Sequence, residues 1–466
     1  MTALHALTAS ALSALFRSGQ VTPSTVLSAC LARHDEVNPA LNAMVALDRE
    51  AAGAAAADAD ARWAEGRPLS MLDGVPVTIK DNLQMRGLPA TWGSRGWADS
   101  PVPASDELAV ARLRQAGAVL LGKTNTPELA LAGHTANDVF GSTGNPWDPG
   151  LTPGGSSGGA VAAVMGGIAP VALATDAGGS IRRPAGHAGA VGLRTTPGLV
   201  PRRGGFRALA GDLQTIGPIA RSVEDLALTL DILAGPAGLA GAPLPPVGAD
   251  TLAGRRVGVV GRIADHPVEP EILRRLEETA AMLESLGLAV REIPCPVDPD
   301  EAGEIMMTLA SVGVASALDE APSQGFSPTP AIARLAESGR KVTGMAYCRQ
   351  LWRISEIRDR VADLFADLDF VLTPSAAALP WSRTHAAPSE IDGLAAAPRA
   401  SAIYTTFVNV AGLPALAFPA APSVGGLPIG MQVVGPPLSE PALLALGRAV
   451  ENASPWPRVA TPRPAA

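Results

Sequence analysis

The sequence predicts an α/β protein, a β-sheet covered by helices on both faces, and two observations carry that expectation. Short apolar runs alternate with longer helical stretches in strand, helix, strand order along much of the chain. At 466 residues, with 47% hydrophobic and 17% charged, the chain can also bury a large core.

The elements follow from their punctuation. In "VTPSTVLSACLARHDEV" Thr22 takes a helix N-cap and Pro23 the first helical position, where a missing N–H leaves no bond unmade. "REAAGAAAADADARWAEGRP" is an alanine-rich helix stopped by Gly66 and Pro68, so residues 1–66 are expected to be helical. "GVPVTIK" then reads as a strand, "SDELAVARLRQAG" as a capped helix and "AVLLG" as a second strand. Later, "RRVGVVG", "PEILRRLEETAAMLESLG" and "LAVREI" repeat that order. The stretch from Gly235 to Gly254, rich in Pro, Gly and Ala, reads as a long surface connection rather than a domain boundary. There is no internal repeat.

Composition excludes several classes of function. A net charge of −8 without a lysine or arginine run argues against a nucleic-acid surface, which leaves a small molecule as the expected partner. No apolar run approaches the ~20 residues of a membrane helix. The start "MTALHALTASALSALFRSGQ" has no basic leader, and a cytoplasmic protein without a membrane partner is expected. Cys30, Cys295 and Cys348 are widely spaced and odd in number, which suggests packing residues rather than a disulfide framework or a zinc site.

Two familiar patterns need weighing. "GAVLLGKT", residues 117–124 with Lys123, has the spacing of a nucleotide-binding P-loop, yet its middle is apolar and Pro127 interrupts the helix that should follow. "GSSGG" fits the G-x-S-x-G pattern with Ser157 at its centre, and that reading needs a histidine base. His187, His266 and His385 all follow it, so chain order leaves a Ser, Asp, His triad open. The plainer reading of "GGSSGG" is a loop where backbone meets backbone.

Taken together, "GVPVTIKDN", "LLGKTNTPELA", "GSTGNPWDPGLTPGGSSGGAVAAV", "ATDAGGSIRRPAGHAGAVGLRTTPGLV", "GPIARSVEDLAL" and "VNVAGLPALAFP" with "GLPIGMQVVG" occur in one order. This set closely resembles the amidase signature family from about Ala11 to Val450, most densely between Gly74 and Asp225. The resemblance implies one α/β/α domain over residues 1–466 with a mixed sheet. The helical segment 1–66 would come first, a signature core over 70–230 next, and the rest of the sheet and pocket over 231–466. It also implies a catalytic Ser, Ser, Lys triad with no cofactor, metal or histidine: Lys80 in "TIKDN", Ser156 in "GGSSGG" after a cis peptide bond, and Ser180 closing "DAGGS".

Amide cleavage needs a nucleophile, a proton shuttle and donors for the oxyanion. Ser180 is the expected nucleophile, with backbone amides of Ala177, Gly178, Gly179 and Ser180 converging on the developing negative oxygen. A lysine ordinarily titrates near about 10.4, so a base that is neutral near pH 7 needs burial worth about 4 kcal/mol. Lys80 ends an apolar strand, where such burial is available, and Ser156 supplies a hydroxyl that can donate and accept between base and nucleophile. Asp176 and Arg182 are expected to pair and hold the nucleophile turn. His134, Thr135, Phe206 and Tyr404 are candidate substrate contacts.

The match also extends to the amidase component of the glutamine-dependent transamidase that acts on misacylated tRNA. Here the uncharged Ser401, Ala402 and Ile403 stand where that component has an acidic residue, and Arg183 stands where it commonly has glutamine. A pocket for glutamine's ammonium needs the missing negative charge. The expected substrate is therefore a neutral amide, aryl or alkyl. Carbamates, hydrazides and esters are alternatives through the same tetrahedral chemistry, and a homodimer is left open.

Serine chemistry of this kind uses no metal, and no H-E-x-x-H, C-x-x-C or carboxylate cluster is read in the sequence. Turnover measured in EDTA should equal that in buffer; a loss restored by zinc would contradict the assignment.

Overall fold

The strands bury both of their faces, and that decides the architecture. In the strand Val171–Asp176, Val171 and Leu173 enter one core cluster while Ala172 and Ala174 enter another, because successive side chains point to opposite sides. A sheet that is apolar on both faces has to be covered on both.

The structure, a computed structural model, describes residues 3–235, 252–323 and 325–462. Most of the expected Gly235–Gly254 connection therefore lies outside the described residues. Eleven strands form one sheet. In chain order they are β1 Met44–Leu47, β2 Pro76–Lys80, β3 Val119–Thr124, β4 Val171–Asp176, β5 Val191–Arg194 and β6 Thr215–Ala220. They continue as β7 Arg256–Val259, β8 Ala289–Glu292, β9 Phe370–Pro374, β10 Ala415–Pro419 and β11 Gly430–Val434. Their lateral order is β1-β3-β2-β4-β6-β5-β10-β11-β9-β7-β8. β2 runs parallel to β3 and β4, whereas β6 pairs antiparallel with β4 and β5, so the sheet is mixed. Among the described residues no helix is long and apolar enough to cross a membrane.

Local chemistry accounts for much of this. Thr22 caps the helix Pro23–Leu41 by accepting from the Thr25 N–H. The helix Arg49–Ala64 stops just before Gly66, which adopts φ +68°. The helix Leu108–Gln115 differs from expectation at its start. Glu107 occupies its N-cap without a side-chain cap bond, because its carboxylate instead accepts the Gln84 N–H at 2.8 Å.

Two other expectations are corrected. The N-terminal segment is not wholly helical, since β1 interrupts it and pairs antiparallel with β3. Four residues are too few to show a period, and their conformation is set by the partner strand. Cys348 is exposed and so is not a packing residue, whereas Cys30 is in the core.

The P-loop reading is likewise overturned, because Val119 to Thr124 of "GAVLLGKT" form a fully buried strand rather than a loop with free amides. Gly122 explains one of its glycines. It adopts φ +150°, and an added Cβ would lie 2.1 Å from the Ala46 carbonyl oxygen of β1. Gly122→Ala should therefore cost about 1 to 3 kcal/mol by overpacking the β1–β3 contact. An unchanged denaturation midpoint in that variant would contradict the close approach.

Candidate active site

β2 and β4 are parallel neighbours in register Val77↔Val171, Thr78↔Ala172 and Ile79↔Leu173, so their carboxyl ends open on the same edge of the sheet. β2 ends at Lys80 and β4 at Asp176. The loop carrying Ser156 leads into the helix Gly158–Met165, which packs on β2 and β4 and brings the loop over those ends.

Lys80 is completely buried, and its three hydrogen-bond partners are all hydroxyls. Nζ lies 2.8 Å from Ser156 Oγ, 2.9 Å from Ser157 Oγ and 3.1 Å from Thr175 Oγ1. Asn82 Nδ2 fixes Thr175 by donating to its hydroxyl at 2.9 Å. Burial holds the amine well below its ordinary lysine value; Asp176 opposes that and Arg202 adds to it.

The peptide bond between Gly155 and Ser156 is cis. A Cβ on Gly155 would lie 2.6 Å from the His134 carbonyl oxygen, so the serine loop crosses the His134 backbone at close range. The Ser157 N–H donates to the Ser180 carbonyl at 3.2 Å, tying the two serine loops together. Ser156 and Ser180 line one cavity, whose walls include Leu129, Leu131, Leu209, Met306 and Gln214. Among the described residues no hydrogen bond joins the Ser156 hydroxyl directly to that of Ser180.

The turn that carries Ser180 is held from below. Asp176 Oδ1 accepts from Gly179 N–H at 2.9 Å and from Arg182 Nη2 at 2.9 Å, while Oδ2 accepts from Ile181 N–H at 3.1 Å. Gly179 is thereby corrected as an oxyanion donor: its N–H is committed to Asp176, and Ala177 and Ser180 are the turn residues that reach the cavity. Arg182 and Asp176 are both fully buried, so theirs is not a surface pair. Burial alone pushes the Asp176 carboxyl up. The Arg182 charge and hydrogen bonds, with Arg194 and Asn409, outweigh it and hold the group well below the usual carboxylate range.

The structure brings Lys80, Ser156, Ser180, Ala177, Gly178, Asp176 and Arg182 to one place. None of the four expected substrate contacts lines that cavity, although His134 and Thr135 border the serine loop. Thr135 holds the serine loop, donating to the Gly154 carbonyl at 3.0 Å and accepting the Gly158 N–H at 3.1 Å. Phe206 stacks on Trp92 with ring centroids 4.5 Å apart. Tyr404 is core, its hydroxyl donating to the Gly261 carbonyl at 2.6 Å. His134 is half-buried, with Nδ1 lacking a partner.

No histidine bonds a serine of the site among the described residues. His187 faces the Ala378 carbonyl at 3.1 Å, and burial lowers it to about 4. His266 instead joins Asp298 and Asp300 in a surface group whose ligand atoms lie within 4.8 Å of one another. The partners that sequence reasoning missed are Ser157 and Thr175 on Lys80, and Thr405, Asn409 and Gln432 around Arg182. "TD" at the end of β4 was a usable signal only once β4 was known to lie beside β2.

Comparison with known proteins shows the family of the chain. The Amidase family model matches residues 25–444. A glutamyl-tRNA(Gln) amidotransferase subunit from Synechococcus sp. (strain CC9605) is 35% identical over 470 residues, covering 94% of each chain. Its namesake from Chloroflexus aggregans (strain MD-66 / DSM 9485) is 34% identical, covering 98% of each. A bacterial aryl acylamidase of the amidase signature family superposes with a TM-score of 0.90 at 27% identity over 97% of each chain. 6-Aminohexanoate cyclic dimer hydrolase does so at 0.85 and 27%, over 98% of each.

Removing the charge at Asp176 tests what holds the turn. Asp176→Asn leaves Arg182 buried without its carboxylate and should cost about 3 to 5 kcal/mol at pH 7. Because the folded-state value is depressed, this stability is fully present above the ordinary aspartate value and is lost as pH falls below about 4. The gap between wild type and variant should therefore narrow as acid is added; a gap that is constant or widens would contradict the assignment.

Proposed function

The chain belongs to the amidase family, whose members are hydrolases acting on C–N bonds, and from that premise we propose that it hydrolyses a neutral carboxylic amide through an acyl-enzyme on Ser180. One observation carries the reading: a fully buried lysine amine bonded only to hydroxyls, two of which, those of Ser156 and Thr175, belong to residues lining a cavity that also holds Ser180.

In the proposed cycle neutral Lys80 takes the Ser156 hydroxyl proton while Ser156 takes that of Ser180, whose oxygen adds to the amide carbon. The Ser156 to Ser180 link forms with substrate bound, as catalytic hydrogen bonds commonly tighten there. Amides of the 177–180 turn other than Gly179 face the developing oxyanion. The proton then returns through Ser156 to the leaving nitrogen, which departs as ammonia or amine. Water repeats the sequence on the acyl-enzyme, releasing the acid and restoring Ser180.

The cavity walls formed by Leu129, Leu131, Leu209 and Met306 favour an apolar portion of substrate. A second reading, as the amidase component of a glutamine-dependent amidotransferase, has the 33% to 35% identity of such relatives in its favour. Against it stands a cavity wall without any acidic residue to pair glutamine's ammonium. Hydrolysis of apolar amides faster than glutamine supports the first reading, and the reverse supports the second.

Ser180→Ala should abolish turnover while leaving the fold intact, since it removes little beyond the attacking oxygen. Lys80→Ala should lower amide kcat/KM by about 10² to 10⁴. A matched ester, with its better leaving group, should lose less. The base must be unprotonated, so kcat/KM should rise with pH through the lowered lysine value and then level off. Substitution of His187, His266 or His385 should change little; a dead histidine variant beside an active Lys80→Ala would show that the base is misassigned.

A further inference from the structure

Four residues of the cavity wall carry a polar side chain: Ser156, Thr175, Ser180 and Gln214. Three of them have a use in the proposed reaction. Ser156 and Thr175 bond Lys80, and Ser180 is the proposed nucleophile. Gln214 is left over. It is half-buried, and among the described residues its carboxamide makes no hydrogen bond, only its backbone N–H does. A carboxamide in the core is treated differently. Gln432 accepts from Arg182 Nη1 at 2.9 Å and donates to the Thr373 hydroxyl at 2.8 Å and the Tyr404 carbonyl at 2.6 Å, so both of its ends are used. The side chain of Gln214 keeps two N–H donors and an acceptor oxygen for whatever enters the cavity.

Its position is fixed from the backbone side. β6 runs antiparallel to β4 with Asp176 opposite Thr215, so Gln214 and Ala177 leave the ladder together at one edge of the sheet, and both line the cavity. The Leu213 carbonyl accepts from Arg194 Nη1 at 3.0 Å and from Asn409 Nδ2 at 3.1 Å. The same two groups bond the Asp176 carbonyl, at 2.8 Å and 3.4 Å. One buried cation and one buried amide thus hold the start of β6 and the base of the Ser180 turn in a single arrangement. The Gln214 N–H is committed too, to the Gly211 carbonyl at 3.3 Å. A polar group carried on so fixed a backbone loses little freedom when it binds.

The rest of the wall narrows what it can bind. Leu129, Leu131, Leu209, Met306 and Ala310 are apolar, and no charged side chain lines the cavity. A charge brought there would lack an opposite partner, whereas a neutral donor and acceptor match a carboxamide. We propose that the Gln214 carboxamide binds an uncharged hydrogen-bonding group of the substrate, so that the compound cleaved carries a second neutral polar group, of the carboxamide class, beside its apolar portion and the amide that is cut. This rests on the hydrolase reading above and narrows it.

The test uses two isosteric pairs in which a carboxamide replaces an isopropyl group. Succinamide against 4-methylpentanamide places it on the acyl side, read as ammonia released. 4-Acetamidobenzamide against 4-isopropylacetanilide places it on the amine side, read as acetate released. The ratio of kcat/KM values within each pair, carboxamide over isopropyl, is compared between wild type and Gln214→Met, which cancels the intrinsic difference in reactivity between the two compounds. In one pair the ratio should fall about 3- to 10-fold, the range of a neutral hydrogen bond, chiefly through KM, and that pair identifies the side. Gln214→Glu keeps an acceptor for the substrate N–H, so its ratio should lie between the other two. Both variants should hold the wild-type denaturation midpoint, because the side chain makes no internal bond, and a lowered ratio is then not a folding effect. Ratios in Gln214→Met equal to wild type for both pairs would overturn the subsite while Ser180-dependent turnover upholds the hydrolase. Turnover of none of the four compounds would overturn both.

Discussion

The desolvation of one amine is the constraint on which the site depends. Lys80 lies on β2, between β3 and β4, where no water reaches it. Its neighbour Lys123 on β3 is buried just as fully. Burial lowers both, but Lys123 has Asp81 at 3.5 Å, with Glu107 also favouring its charge, and it donates to the Leu83 carbonyl. Such surroundings preserve an ammonium and make a structural ion pair. Around Lys80 the partners are hydroxyls, which can give or take a proton and do not demand a charge. The two buried lysines thus differ by one strand's displacement and by the chemistry of their partners, and those of Lys80 suit the proposed base.

A second constraint is the orientation of the turn that carries Ser180. Asp176 closes β4 and gathers the amides of Gly179 and Ile181, and Arg182 binds it from the following helix. Arg182 is in turn fixed by the Thr405 carbonyl and by Gln432 and Asn409 side chains, residues more than two hundred positions away. The late strands of the sheet therefore position an early loop. A buried ion pair contributes little net stability once desolvation is counted, and its effect is better described as orientation.

Lys80, Ser156 and Ser180 were picked out by the resemblance of several glycine-rich segments, taken together, to one family, with Asp176 and Arg182 singled out as flanking the Ser180 turn, and the structure brings these residues to one place. Contacts that depend on which strand lies beside which were not legible. Thr175 meets Lys80 only because β4 is next to β2, and β1 is a strand only because β3 accepts it. Thr135, Phe206 and Tyr404 have the chemistry of pocket residues, yet their polar or aromatic groups are used inside the fold, which pattern alone does not reveal. Gly179 looks like an oxyanion donor by position until the direction of its N–H is seen.

The protonation state of Lys80 can be measured directly. The chain has three lysines, Lys80, Lys123 and Lys341, so selective ¹³C and ¹⁵N labelling gives a spectrum simple enough to follow each side chain against pH. The resonance absent from a Lys80→Met sample identifies the site. The account predicts that this signal titrates well below the ordinary lysine value of about 10.4. Titration at or above that value would show an ammonium at neutral pH, and Lys80 could not then be the base.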